Sequence, residues 1–228
     1  MGNENLMKWG PNLYEKIVLL EKFCRSVHAD DLILMVDAWD VIIQDTPANI
    51  VEALTNFKTK VLFGYELACA HNGTEDNDTC PLPDKQNSIH HGRYLCSGVL
   101  IGRAGDILQV IEKSGGIPYH NDQTTWARWY IENYPSIDLD LNQTIIANLC
   151  GSEDQTYFEN GLVRVGANTP MVCHFNGYEP KHILKNIVGE NAELFSRRSS
   201  TGVIAFYIVI LAAINIATFF LCRVMLNM

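Results

Sequence analysis

The residues able to do chemistry sit at the ends of apolar runs. In "DLILMVDAWDVIIQ", residues 31–44, Asp37 and Asp40 stand between the runs Leu32–Val36 and Val41–Ile43. Two carboxylates on a tight connection after a buried strand can turn toward one point. Hard oxygen donors gathered in this way suit Mg²⁺ or Mn²⁺, ions that keep positions open for substrate phosphates. The opposing reading is a pair of solvent-facing turn residues, because Asp starts turns readily and most carboxylates lie at the surface. Trp39, between the two acids, offers a flat face to a base or sugar, against core packing as the commoner fate of a Trp. A second candidate is His174 in "CHFNGYEPK", residues 173–181. It ends the apolar stretch Pro170–Val172 and precedes Asn176-Gly177, where glycine lets the backbone approach a ligand closely. An imidazole joining two carboxylates fits Mn²⁺. The third is Asp122 in "HNDQTTW", just ahead of a helical pattern, with a helix cap as its alternative role. His71, His90, His91 and His120 fall in loops and receive no role.

These side chains need a scaffold, and the apolar periodicity outlines one. Ile17, Leu20 and Phe23 recur at helical spacing from Tyr14 to Arg25, and a strand follows at 31–36. Thr46-Pro47 reads as cap and first position of a helix reaching Phe57. "KVLFGYE" is the next strand and leads into a polar loop over 67–93. "LCSGVLIGRAGDILQVIEK" is a strand that breaks at Gly102 into a helix ending at Gly115-Gly116, and another helix runs from Asp122 to Tyr134. Strands alternating with helices predict an α/β domain, a mostly parallel sheet with helices on both faces, and ligands at the C-terminal strand ends. Asp37 lies at such an end.

Composition narrows the class of partner. The chain has 228 residues and a formal net charge of −9, with no stripe of Lys or Arg, so nucleic acid is excluded as a partner. Residues 202–222 form 21 consecutive residues without a charge. As a helix this run would span about 31 Å, enough to cross a bilayer core, and it predicts a C-terminal transmembrane helix. The expected layout is a domain over 1–196, a linker at 197–201, the membrane helix at 202–222 and a short tail at 223–228. Among seven cysteines there is no CxxC pair, which excludes a zinc ribbon. Asn72, Asn77 and Asn142 begin Asn-x-Thr acceptors, and a Cys69–Cys80 bond would close the loop holding the first two. Both features favour a secretory lumen, in the endoplasmic reticulum or Golgi. Arg197 and Arg198 ahead of the apolar run, against Arg223 behind it, pull toward a cytosolic domain.

Six segments in order resemble a family. "VDAWDVI" is similar to the D-x-x-D motif of the glycosyltransferase domain found in procollagen lysyl hydroxylases and their stand-alone relatives. "LFGYELAC", "YLCSGVLIG", "NDQTTWARWY", "LDLNQTIIANLCG" and "CHFNGYEPK" match that family's later motifs. The resemblance implies a GT-A type, Rossmann-like fold. It also implies Mn²⁺ or Mg²⁺ as cofactor, a UDP-sugar donor, and transfer of glucose or galactose to a protein or glycan acceptor. Carried over by position, it implies Asp37, Asp40 and His174 as metal ligands and Asp122 as the catalytic residue near donor sugar and acceptor hydroxyl. Trp39 would stack on uracil, Lys16 would reach the diphosphate, and Asn176, Gly177, Ser97 and Gly98 would line the nucleotide-sugar pocket. This sequence departs from the family's pattern at Cys96, where the family has Asn, and at Asn121, where it has Asp. The family's first strand–helix–strand unit has no counterpart before Met7. Two other functions are open to the same residues: an inactive membrane-anchored scaffold, which Asn121 and the short N-terminus favour, and a metal-dependent phosphohydrolase, which lacks an evident nucleophile.

Overall fold

The computed structural model describes residues 14–37, 40–67, 83–115 and 121–177, scattered positions between 180 and 187, and the backbone of 206–211 and 220–224. Its centre is a sheet in which β1 (Leu32–Asp37), β3 (Val61–Glu66), β4 (Tyr94–Arg103) and β5 (Ile137–Leu139) pair in the order β1-β4-β3-β5. β1 is apolar without interruption because both its faces are covered. Ile33 and Met35 pack with α1 (Glu15–Ser26), α4 (Ala104–Lys113) and α5 (Asp122–Asn133) on one side. Leu32, Leu34 and Val36 pack on the other side with Ile50 and Ala53 of α2 (Pro47–Leu54). Asp37 continues the alternation of Ile33 and Met35, which turns it toward α1.

The expected parallel sheet is mixed. β4 runs antiparallel to both β1 and β3, and only β3 and β5 are parallel within this group of four. The reason is the connection: the chain leaves the C-terminal end of β3 and re-enters the sheet from that same end, which makes neighbours antiparallel without a crossover. Helices were expected on both faces, and α1, α4 and α5 cover one of them. The other face is covered partly by α2 and partly by a second sheet, β2 (Val41–Ile43), β9 (Val172–His174) and β6 (Ile146–Asn148), in the order β2-β9-β6. A hairpin of β7 (Thr156–Glu159) and β8 (Leu162–Val165) closes a smaller apolar cluster around Phe175.

Local rules hold at the helix starts. Thr46 accepts a hydrogen bond from Asn49 N at 3.3 Å with Pro47 in the first turn, as its sequence predicts. This helix ends at Leu54, and the residues to Phe57 close it as turns. The loop expected over 67–93 holds a further helix, α3 (Pro83–Ile89).

The transmembrane helix expected over 202–222 is not what the described part of that run forms. β10 (Phe206–Leu211) lies parallel to β1, and β11 (Phe220–Val224) lies antiparallel to β10. β1 otherwise presents an open row of N–H and C=O groups on that edge, and "FYIVIL" is rich in the aromatic and β-branched residues that strands favour. Among the described residues no helix is long and apolar enough to cross a membrane.

Candidate functional site

The side chains singled out in the sequence converge where β1 ends. Asp37 is the last residue of β1, and Asp40 immediately precedes β2. Val41 pairs with His174 across the antiparallel β2–β9 ladder, and Phe175 N donates to Asp40 O at 2.7 Å. That short ladder brings His174 to the two acids from more than a hundred residues away. His174 Nε2 lies 3.5 Å from Asp40 Oδ1 and 3.7 Å from Asp37 Oδ2. One ligand atom from each of the three falls within 4.8 Å of the others. Ligands at right angles around an ion with bonds of about 2.1 Å lie about 3 Å apart, so a small contraction would seat Mn²⁺ or Mg²⁺. Two carboxylate oxygens and one imidazole nitrogen are a donor set that fits such an ion.

Lys16 connects this cluster to the next. Its ammonium is buried and donates to Asp37 Oδ1 at 2.8 Å, with Asp122 Oδ2 at 3.0 Å. Burial works against its charge, but Asp122 and Asp37 outweigh that effect and hold the ammonium well above the usual lysine value. The cap role weighed for Asp122 belongs to its neighbour. Asn121 Oδ1 accepts from Gln123 N at 2.9 Å and Thr124 N at 3.2 Å, which leaves the Asp122 carboxylate to face Lys16 and the Ser97 hydroxyl at 2.9 Å. Asn121 thus caps the helix, backbone work that an aspartate also does.

A β-bulge places Ser97 and Gly98. The β3–β4 register jumps from Phe63↔Leu100 to Gly64↔Cys96, so residues 97–99 have no partner on β3. Ser97 turns toward Asp122, and Gly98 lies beneath the His174 ring. Asn176 is committed on both ends of its amide, accepting from Cys150 N at 3.1 Å and donating to Glu66 Oε2 at 2.9 Å. Gly177 is exposed with φ of +91°, a conformation that favours glycine. Trp39 lies outside the described residues, as do Cys69, Cys80, Asn72 and Asn77.

Three polar residues escaped the sequence reading. Glu66 ends β3 as Asp37 ends β1, and it is buried, with Gln123 Nε2 at 2.6 Å on its other oxygen. An acid closing an apolar strand was the available signal. Gln123, read as simply helical, also accepts from Ser97 N at 3.3 Å. Asn148 Oδ1 stands 2.8 Å from His174 Nδ1, a contact made by strand pairing that no local pattern announces. Cys96 lies on the same nitrogen at 3.8 Å, and burial pushes its thiol well up.

Comparison with known proteins bears on this geometry. The family model described as the PLOD GT domain matches residues 7–193. The chain is 27% identical over 189 residues to procollagen-lysine,2-oxoglutarate 5-dioxygenase 1 of Gallus gallus, covering 77% of this chain and 24% of that one. It is 27% identical over 171 residues to the multifunctional procollagen lysine hydroxylase and glycosyltransferase LH3 of Homo sapiens, covering 70% of this chain and 22% of the relative. It therefore spans about a quarter of the length of these relatives. With the cluster at the end of β1 built from this family's motifs, the chain belongs to the PLOD glycosyltransferase-domain family.

Proposed function

We propose that the domain is a metal-dependent glycosyltransferase that moves glucose or galactose from a UDP-sugar to a protein or glycan acceptor. The observation that carries this reading is the convergence of Asp37, Asp40 and His174 at a strand end, joined through Lys16 to Asp122. Asp37, Asp40 and His174 would hold Mn²⁺, which when bound supplies positive charge to the departing diphosphate. Lys16 keeps its proton and adds a second fixed positive charge beside that position. Asp122 orients the ammonium and, with Ser97, forms the wall on which the sugar would rest. Gly177 leaves room for backbone N–H groups to approach phosphate oxygens. The relatives' names make a procollagen peptide bearing hydroxylated lysine the first acceptor to try.

Asn142 is exposed in the turn after β5 and begins an Asn-x-Thr acceptor, which favours the lumen of the endoplasmic reticulum or Golgi. A mass loss on endoglycosidase treatment tests that placement.

One observation favours a second reading, a binding module without turnover. Lys16 already balances Asp37 and Asp122, so those acids are compensated without a metal ion. Calorimetric titration of UDP into the chain, with and without Mn²⁺, separates the readings when run beside Asp37→Ala and Asp40→Ala. Mn²⁺-dependent binding that both variants abolish, followed by UDP release with sugar on the acceptor, is the expected result. Binding without release leaves the module. No binding by the folded chain removes both, and metal-dependent phosphate release without a UDP-sugar would mark a phosphohydrolase instead.

A further inference from the structure

His174 faces the two acids through Nε2, so the opposite edge of its ring decides whether that nitrogen has a lone pair to offer. A neutral imidazole carries one proton, on one nitrogen or the other, and only the bare nitrogen can bind a cation. We infer that Asn148 is the positioning residue that fixes His174 as its Nδ1–H tautomer and so aims a bare Nε2 at Asp37 and Asp40.

Asn148 and His174 are paired residues of the parallel β6–β9 ladder, so their side chains stand side by side on one face. Both are buried. Asn148 Nδ2 donates to Tyr65 O at 3.2 Å, and a backbone carbonyl can only accept. The amide is therefore oriented with nitrogen toward β3 and oxygen toward the imidazole. Turning it over would set oxygen against oxygen at Tyr65 and strand two buried acceptors. With Oδ1 held 2.8 Å from Nδ1, the proton belongs on Nδ1. The Cys96 sulfur, 3.8 Å from Nδ1, is a weak donor at long range, and the carboxylates that draw a proton toward Nε2 stand farther off than Asn148 Oδ1, at 3.5 and 3.7 Å.

Two glycines make the arrangement possible. A Cβ on Gly98 would lie 2.7 Å from His174 Nδ1 and 2.8 Å from Nε2, so the ring rests directly on the β4 backbone. A Cβ on Gly64 would lie 3.0 Å from Asn148 Cγ and 2.6 Å from Ile146 Cγ2, and closer still to the amide nitrogen. Gly64 on β3 and Gly98 on the β4 bulge thus form the floor of one slot that holds the amide and imidazole in line. Gly64, Asn148 and His174 relay a backbone contact on β3 to the position of a ring nitrogen at the candidate metal site.

The consequence for cation binding rests on the metal reading proposed above, whereas the tautomer itself does not, and the test separates them. Long-range proton–nitrogen NMR of the full chain, labelled at histidine nitrogen and free of metal, reads which ring nitrogen is protonated. His174→Gln assigns the signal. The expected spectrum has a protonated Nδ1, and Asn148→Leu should lose that preference. Manganese EPR on the same samples should show affinity for Mn²⁺ falling about 10- to 100-fold in Asn148→Leu. Asn148→Asp, which keeps an acceptor toward the ring, should retain the Nδ1 proton. If Asn148→Leu does not fold, Gly64→Ala displaces the amide while keeping it in the chain and should produce the same loss. A bare Nδ1 in the unaltered chain overturns the inference, as does an unchanged tautomer in a folded Asn148→Leu. The expected tautomer in a chain that fails to bind Mn²⁺ leaves the inference standing and removes the metal reading.

Discussion

Asp37 and Asp140 occupy equivalent places in the sheet and live in different chemistry. Each stands at the C-terminal end of a parallel strand, Asp37 closing β1 and Asp140 following β5. Asp37 is partly open, and its two oxygens face an ammonium and an imidazole that come from distant segments. Asp140 is fully buried, and its Oδ2 accepts from Ile145 N at 2.6 Å and Ile146 N at 2.9 Å within its own loop. The first arrangement gathers side chains whose charges a ligand can rebalance. The second ties a turn shut with backbone donors and leaves a ligand nothing to reach. The position of an acid at a strand end therefore identifies a site only when its partners are side chains from other elements.

Substitution at the two acids should separate these roles most sharply. Asp37→Asn and Asp40→Asn each remove a charged donor from the cluster, and Mn²⁺ affinity should fall by at least about 100-fold, while Asp122 still pairs with Lys16 and keeps the stability loss from Asp37→Asn below that from Asp140→Ala. Asp140→Ala should do the reverse. Two buried N–H groups lose their acceptor at about 1–3 kcal/mol each, so the domain should lose several kcal/mol of stability. A folded remnant should keep its Mn²⁺ affinity. Denaturant titration and manganese EPR on both sets decide the matter: a large stability loss from Asp37→Asn, or loss of metal from folded Asp140→Ala, would erase the distinction.

Lys16 sharpens the comparison, because it makes the cluster at β1 compensated when no metal is bound. Lys16→Met leaves two carboxylates facing one another in a largely buried setting, and removing one partner of a buried pair costs about 3–5 kcal/mol. Added Mn²⁺ should restore more stability to this variant than to the parent chain, since the ion then supplies the missing positive charge. Thermal melts with and without Mn²⁺ measure the difference, and equal restoration in both chains would show that the ammonium and the ion do not share the same acids. The raised ionisation of Lys16 adds a sign. Its contribution is complete below the unfolded lysine value of about 10.4 and is lost only as pH rises through the higher folded value, so it is constant across the neutral range.

Sequence made the first shell of this region legible and little beyond it. Asp37 and Asp40 were visible because polar residues interrupted a run that strand burial requires to be apolar. The helix start at Thr46 was readable from local cap chemistry, whereas the cap weighed at Asp122 lies one residue earlier, on Asn121. The Gly64–Asn148–His174 line was not, because it depends on a register between β6 and β9 and on a bulge in β4, and both are set by long-range pairing. The direction of β4 was hidden for the same reason: its apolar pattern is the same whichever way it runs. The run at 202–222 is ambiguous by length, since an uninterrupted apolar segment suits a bilayer and a strand edge alike; of its described strands, β10 pairs with β1 and β11 with β10.

The smallest effect concerns the ionisation of Asp140. Burial raises its pKa above the ordinary 3.8, and backbone hydrogen bonds from Ile146 and Ile145 offset only part of that rise. Between 3.8 and the raised value the folded chain keeps a proton that the unfolded chain has lost. Stability from this residue therefore falls as pH rises across that window and is level above it, by about 1.4 kcal/mol for each unit of separation. Asp140→Asn keeps an oxygen for the two N–H groups and removes the titration, so subtracting its stability-against-pH curve from the parent's should leave this single step. A flat difference curve would mean that the two N–H groups hold the Asp140 carboxylate ionised in spite of its burial.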